Sequence, residues 1–491
     1  MSLKIKSTSP VSGEVLWEGP ASTADETSAA IDRASNAYEQ WRLTPIERRL
    51  EIVRAYAKHL QEHRAEIANL ISNEVGKLPW DANGEVGAAI AKAEVSIEAL
   101  QQRRSEQLLD PVSKPTGSIQ RVIRYHPIGV ALVLGPFNFP LHLPGGQIIP
   151  ALLSGNTVVF KPSEQAAAVG QWMASAWKAA GLPDGVLEII QGGVQTAVDA
   201  IEAPQIAGVF LTGSRSAGRA IHRQLAGRPE VLLALELGGN NPIVVTEPIP
   251  SEIAATIVSF SAFISAGQRC TCARRAFFVG DEAKESIQTL IDRTNQLCVG
   301  VPGDSQGAKD LSHAEQSVQI GPVISDSAAA GLRKTYEKLI QLGCQPLVPF
   351  HVDQDKANLV HPCILDSTDL AAGELAELGE MEWFGPMLVI HRVASFEEAL
   401  RLASGTAYGL AASLLGGTKE MFDQFVTHVG AGVVNWNGPT TGAAGTLPFG
   451  GLRDSGNHRP AGFFAIDFCS DPVASLQRQE IAKDDPWDIT K

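Results

Sequence analysis

Residues 129–160 read GVALVLGPFNFPLHLPGGQIIPALLSGNTVVF, a run of 32 positions without one Asp, Glu, Lys or Arg. About 20 apolar residues suffice for a membrane-spanning helix, so the length alone would permit one. Pro136, Pro140, Pro144 and Pro150 argue against it, together with the glycines between them. A proline inside a helix removes a backbone donor and clashes with the preceding turn. The run therefore reads as strand 130–134, a Pro/Gly loop, a helix over about 141–153, and strand 157–160.

That rhythm continues downstream. Strands are expected at 186–190, 208–211 and 231–235, with helices at 166–180, 194–201 and 217–226. Strands alternating with helices at this spacing predict a parallel, doubly wound sheet, a fold that binds ligands at the carboxyl ends of its strands. A second alternation begins near Leu237. Its strands are expected at 276–279, 359–365, 387–393, 411–415 and 433–436, and its helices at 282–297, 328–342, 396–403 and 419–429. Upstream, residues 1–20 read as short strands and turns, and 22–109 as helical. Thr44-Pro45-Ile46-Glu47 has the form of a helix start, with threonine as N-cap and proline at the first helical position. Gly76 is placed to close the helix after it. Residues 116–126 alternate like an extended ribbon lying outside the main sheet.

Composition narrows the function classes. A chain of 491 residues with 44% hydrophobic content fits two or three globular domains. A net charge of −14 argues against a general nucleic-acid binder. The six cysteines are sparse, and 1–9 has no apolar targeting core, which predicts a reducing, cytoplasmic setting with free thiols. Cys270 and Cys272 form a C-x-C pair with no clustered histidines, so no metal site is expected.

Cys270 lies in SAFISAGQRCTCARR, 261–275. An apolar helix from 251 to about 266 is expected to carry Ile253, Ile257, Phe260 and Ile264 on one face and to end at Gly267 in a left-handed conformation. Arg269, Arg274 and Arg275 surround the thiol, and a positive field favours the nucleophilic thiolate. The same residues also read as a structural cysteine beside a basic turn. Asn138, in the loop after strand 130–134, can donate to a developing oxyanion or simply satisfy its own loop. Lys161 and Glu164 follow the next strand and could grip ribose hydroxyls. A carboxylate there would repel a 2′-phosphate, favouring NAD over NADP. Gly213-Ser214-Arg215-Ser216-Ala217-Gly218 joins a strand to a helix. It departs from the usual dinucleotide fingerprint, yet such a turn can seat a pyrophosphate. Glu236 ends an apolar strand, where partial desolvation would suit a general base. In EWFGP, Glu382 could hold another ribose, and Phe384 there and Phe449 in PFGG could line a pocket; otherwise they read as ordinary turn residues.

Taken in order, the blocks PFNFP, FKPSE, FLTGS, LELGGNNP, GQRCTCARR, EWFGP and PFGG resemble the aldehyde dehydrogenase superfamily. The resemblance implies an α/β, aldehyde dehydrogenase-like fold: two doubly wound α/β domains plus a small β oligomerisation arm. Residues 1–114 and 129–236 would form the NAD-binding domain, 237–438 the catalytic domain, and 115–128 with 455–480 the arm of a homodimer or dimer of dimers. Cys270 would be the nucleophile, passing through a thiohemiacetal and a thioester. Asn138 would be the oxyanion donor and Glu236 the water-activating base. Lys161, Glu164, Gly213–Gly218, Glu382 and Phe384 would contact NAD. His142, Arg269 and Phe449 would face the substrate. GQRCTCARR, SGNHRP at 455–460 and the segment 467–476 are most similar to the subfamily that oxidises N-succinylglutamate 5-semialdehyde in arginine breakdown. Glutamate and succinate semialdehyde are the alternative substrates. A doubly acidic aldehyde would need cationic anchors, and Arg269, Arg453 and Arg459 are the candidates. The polar stretch 303–317 matches none of the blocks.

Overall fold

The computed structural model describes residues 4–114, 117–281, 283–301 and 318–478. The start of the expected ribbon at 116, the start of the helix expected from 282, the stretch 303–317 and the end of the expected arm at 479–480 lie outside them. The first sheet has five parallel strands in the order Leu187–Ile189, Thr157–Lys161, Val130–Leu134, Ile206–Thr212 and Leu232–Glu236. Strand direction of travel reverses beside Val130–Leu134, and the crevice at such a reversal is where doubly wound sheets receive ligands. Side-chain alternation puts Ala131 and Val133 into one core and Val130, Leu132 and Leu134 into another. Burial on both faces explains why this strand is apolar throughout rather than alternating. The helices Ile46–Glu62, Arg64–Val75, Pro79–Arg103 and His142–Ser154 cover one face. Ala24–Trp41, Val194–Glu202 and Arg215–Gln224 cover the other.

The second sheet has seven strands, ordered Gln345–Val348, Cys363–Asp366, Met387–Val393, Ala273–Val279, Asn241–Val245, Ala411–Leu415 and Val433–Trp436. All neighbours are parallel except the edge pair Gln345–Val348 with Cys363–Asp366. A third, antiparallel sheet joins Ser470–Gln477, Gly117–Pro127 and Gln107–Lys114.

Several expectations need correction. Asn241–Val245 and Gln345–Val348 are strands that periodicity did not reveal. The helix expected to reach 109 ends at Arg103, and the chain enters a strand at Gln107. Thr44 does not cap the helix Ile46–Glu62. Pro45 precedes it without a side-chain cap, and the Thr44 hydroxyl donates back to the Gln40 carbonyl at 3.1 Å. Gly76 does close the helix Arg64–Val75, in the left-handed conformation.

The helix leading to Cys270 differs most. It runs Ser251–Phe263 and buries Ala254, Ala255, Val258 and Ala262, whereas Ile253 and Phe260 stay 50% and 44% exposed. Close packing on the sheet selects the small-residue face over the bulky one. Beyond Phe263 the chain makes a tight left-handed turn with Ser265 at φ 54°, Ala266 at φ 53° and Gly267 at φ 69°. A Cβ on Gly267 would lie 2.1 Å from the Gly385 carbonyl oxygen.

Gly267→Ala is therefore expected to lower the melting temperature by more than about 5 °C, combining left-handed strain with a backbone collision. A calorimetric scan of the variant beside the wild type checks this.

Candidate active site

The carboxyl ends of the first sheet's strands face the amino ends of Asn241–Val245, Ala273–Val279 and Met387–Val393 in the second across one cavity of about 1130 Å³. The loop after Val130–Leu134 brings Asn138, the end of Leu232–Glu236 brings Glu236, and the turn before Ala273–Val279 brings Cys270. These three residues line the cavity together although they are far apart in the chain. Its wall continues through Lys161, Glu164, Gly213, Ser214, Ala217, Glu382 and Phe384, and through His142, Arg269 and Phe449.

Asn138 is buried, and its amide donates to the Gln268 carbonyl at 3.0 Å. It thus bridges to the nucleophile turn instead of satisfying its own loop. One N–H of the two on that amide remains for another acceptor. Glu236 is also buried. Its Oε1 accepts the Ala461 N–H at 3.1 Å, and Oε2 has no partner among the described residues. Burial raises its carboxyl well above the usual range, against the lowering effect of the Ala461 hydrogen bond. Cys270 is half-buried, and its thiol is pushed up to about 12. Burial is the main cause, followed by the Glu236 carboxylate, Cys272 and Glu382; Arg274 acts in the opposite sense.

The arginines do not play the activating part their position suggested. Arg274 is fully buried and donates to the carbonyls of Gly267 at 2.8 Å and Arg269 at 3.1 Å. Arg275 donates to Asn240 Oδ1 at 2.7 Å and to the Leu402 and Ala403 carbonyls at 2.8 and 3.1 Å. Arg269 lines the cavity but is paired with Asp81 at 2.7 Å and with the Ser265 hydroxyl at 2.8 Å. Its charge is already matched, which corrects its reading as a free carboxylate anchor. Arg453 donates to the Ser404 and Thr406 carbonyls at 2.9 and 2.8 Å, and Arg459 is exposed; neither lines the cavity. Cys272 is buried, 3.7 Å from the Ile264 carbonyl.

At the other end, Lys161 is buried, donates to the Pro162 carbonyl at 3.1 Å and lies 3.8 Å from Glu164. Ser214 caps the helix Arg215–Gln224 by accepting the Ala217 N–H at 3.2 Å. The expected six-residue contact narrows here, because Arg215, Ser216 and Gly218 do not line the cavity. Arg215 turns away to Asp454 at 2.5 Å and Glu380 at 3.3 Å. Gly218 packs under Leu237, where a Cβ would approach to 2.7 Å. Glu382 Oε1 accepts the Gly239 N–H at 2.9 Å. Between the helices Val194–Glu202 and Arg215–Gln224, Val194, Val198, Ile201 and Ile221 form an apolar slot.

Two cavity residues escaped the sequence reading. Gln147 donates to Thr212 Oγ1 at 3.3 Å, and its own carbonyl oxygen is buried without a partner. Lys92 projects from the helix Pro79–Arg103 into the same space. Its signal was a single lysine in GAAIAKA, 87–93, where small apolar neighbours announce a buried face. Among the described residues no group of three His, Cys, Asp or Glu is placed to hold a metal, and no helix is long and apolar enough to cross a membrane.

A cysteine, an amide donor and a carboxylate gathered in one cavity between the two sheets are the groups that covalent catalysis requires. The sequence profile of the aldehyde dehydrogenase family matches residues 2–473, and the chain belongs to that family. Solved structures agree. The NADP-dependent glyceraldehyde-3-phosphate dehydrogenase of Bacillus halodurans C-125, in complex with NADP, is 29% identical; the match covers 97% of this chain and 96% of that one, at a TM-score of 0.87. The glyceraldehyde-3-phosphate dehydrogenase GapN of Methanocaldococcus jannaschii DSM 2661, also with NADP, is 25% identical over 98% and 100% of the chains, at 0.86. A protein assigned as a methylmalonate-semialdehyde dehydrogenase from Sinorhizobium meliloti 1021, in complex with NAD, is 25% identical over 99% and 96%, at 0.87. The chain is accordingly an NAD(P)-dependent aldehyde oxidoreductase in its class.

A negative neighbour disfavours a thiolate, so removing the Glu236 charge must lower the Cys270 thiol from its raised value. In alkaline buffer, Glu236→Gln is expected to speed alkylation of Cys270 by iodoacetamide several-fold. Peptide mass mapping, which separates Cys270 from the other half-buried thiol at Cys298, reads the result.

Proposed function

We propose that the chain oxidises N-succinyl-L-glutamate 5-semialdehyde to N-succinyl-L-glutamate with NAD, as a step of arginine breakdown by the succinyl-transfer route. The supporting observation is the shared cavity wall of Cys270, Asn138 and Glu236. The narrower substrate rests on the resemblance of GQRCTCARR, SGNHRP and the 467–476 segment to that subfamily.

In this reading Cys270 Sγ adds to the aldehyde carbon, and the carbonyl electron pair moves to oxygen. The oxyanion accepts hydrogen bonds from Asn138 Nδ2 and the Cys270 N–H. The dinucleotide, when bound, supplies the acceptor for the hydride that leaves this carbon. Glu236 takes a proton from water, the resulting hydroxide attacks the thioester carbon, and the C–S bond breaks to release acid and thiolate. A carboxyl raised by burial is a better base than an exposed one, and the unpartnered Oε2 gives the water an acceptor.

The residues present fit a dinucleotide. Lys161 and Glu164 offer a donor and an acceptor for ribose hydroxyls, the apolar slot at Val194 and Ile221 takes a flat ring, and Glu382 and Phe384 flank the end near Cys270. Glu164 beside Lys161 supports NAD over NADP, since a second anion would meet its carboxylate. The NAD-binding part is taken as 1–106 with 129–236, shorter than the expected 1–114 because Gln107–Lys114 pairs with Gly117–Pro127, and 237–438 is the catalytic part. The three-stranded sheet at Gln107–Lys114, Gly117–Pro127 and Ser470–Gln477 serves as an arm between subunits. Leu108 and Leu476, 69% and 73% exposed, give it an apolar surface to bury in a homodimer or dimer of dimers.

Purified enzyme supplied with N-succinylglutamate 5-semialdehyde and NAD is expected to form NADH. Cys270→Ala should abolish it, and Glu236→Gln should release about one NADH per site and then stall with acyl label on Cys270. Higher kcat/KM on glutamate or succinate semialdehyde would transfer the reading to that substrate.

A further inference from the structure

One stripe of the helix Pro79–Arg103 faces the cavity through Asp81, Glu85, Ala88, Lys92 and Val95. These positions recur every three or four residues and so share one side of the helix. Each carboxylate on the stripe is matched. Asp81 pairs with Arg269 at 2.7 Å. Glu85 pairs with Lys77 at 2.6 Å and accepts the backbone N–H groups of Leu141 and His142 at 2.9 and 3.1 Å.

Lys92 is not matched. It is 4% exposed, its ammonium donates to the Gly462 carbonyl at 2.7 Å, and it meets no carboxylate among the described residues. An ammonium carries three donors, so two remain. Of the three Lys and Arg side chains lining the cavity among the described residues, Arg269 is held by Asp81 and Lys161 lies beside Glu164. His142 shares the wall, and its buried Nδ1 has no partner among the described residues. It stands one turn before Gly146 on the helix His142–Ser154, and a Cβ on Gly146 would be only 3.6 Å from Lys92 Cε. The two side chains therefore occupy one corner. Burial lowers the Lys92 ammonium to about 8, leaving it mostly charged at neutral pH. Burial, with Lys92 and Lys77 assisting, lowers His142 to about 4, leaving it neutral. A buried cation without a counter-ion is costly unless a ligand completes it.

We propose that Lys92, with His142 beside it, binds a carboxylate of the aldehyde substrate and so selects anionic over neutral aldehydes. The inference rests on the aldehyde-oxidising reading of Cys270 and adds the residue that recognises charge. It has a structural rival. Lys92 holds Gly462, and the neighbouring Ala461 N–H holds Glu236, so Lys92 could act solely by placing the base.

The test uses purified full-length enzyme with saturating NAD. Succinylglutamate, glutamate and succinate semialdehydes are each assayed beside the corresponding methyl ester. The quantity read is the ratio of kcat/KM for the best acidic aldehyde to that for its ester. Lys92→Met is expected to reduce this ratio at least roughly tenfold, mainly through KM, and Lys92→Arg to retain most of it. An unchanged ratio in Lys92→Met overturns the proposal. So does an equal loss on acid and ester, which assigns Lys92 to placing Glu236, and so does a wild type indifferent to the charge. A wild type preferring succinate or glutamate semialdehyde overturns the narrower substrate assignment alone, because Lys92 is scored on whichever acid is used best.

Discussion

The segment Gly267–Cys272 carries the Cys270 thiol through a cleft wall where neither helix nor sheet can satisfy its backbone. Buried carbonyls without partners are expensive, so each must find a donor elsewhere. Asn138 supplies one to Gln268, Arg274 supplies Gly267 and Arg269, and Asn241 supplies Cys270 and Cys272 at 2.7 and 2.8 Å. Gln268 in turn receives the Ile324 N–H on its side-chain oxygen at 2.9 Å. The donors come from the first sheet, the second sheet and the long connection between strands. The turn is thus the point where the separately folded parts of the chain must agree.

That constraint explains two otherwise odd features. Ser265 and Ala266 hold left-handed backbone angles that non-glycine residues seldom adopt, each costing about 1–3 kcal/mol. Ser265 is kept there by Asp81, to which its hydroxyl donates at 2.5 Å, and by Arg269. The buried arginines are the second feature. A guanidinium offers five donors in a fixed fork, which suits a cluster of carbonyls better than any other side chain. Arg274 and Arg275 direct their hydrogen bonds to carbonyls and Asn240, and the lowering effect of Arg274 on the thiol is outweighed by burial. The Cys270 thiol is accordingly raised in the protein by itself. Its activation must come from what enters the cavity and from the backbone dipoles of the turn.

The legible parts of the sequence were those where a local pattern and its structural cause coincide. Val130–Leu134 and Thr157–Lys161 are apolar on both faces because both faces are covered, and the Pro/Gly loop after the first announces the strand's end. Asn138, Glu236 and Cys270 were recognisable because each closes an apolar run. Asn241–Val245 was hidden although it lies in the middle of the second sheet. It is short, begins Asn-Pro, and follows two glycines, so its local signal is that of a turn; only its neighbours Ala273–Val279 and Ala411–Leu415 make it a strand. The helix Ser251–Phe263 failed for a related reason. Its bulky stripe has the better helical period, but the buried face is built from Ala254, Ala255, Val258, Ala262 and Phe263, with Ile253 and Phe260 left exposed. The fate of each arginine was equally out of reach, because sequence shows that a charge is present and not which oxygen it meets.

Charge in the cavity follows the same logic of matching. Asp81 serves the strained turn through Arg269 and Ser265. Glu85 gathers Lys77 and the first backbone donors of the helix His142–Ser154, fixing where that helix begins. Both acids on the cavity stripe are therefore consumed by architecture, and neither neutralises Lys92, about two turns beyond Glu85. An acid added beside Lys92 would stabilise the empty protein, yet the chain places Ala88, Ala91 and Val95 around it. Apolar neighbours keep the ammonium poorly solvated, which strengthens its attraction for an incoming anion. The same arrangement penalises a neutral ligand, which would cover the charge without pairing it. Discrimination then arises as much from what the site withholds from Lys92 as from any contact it offers.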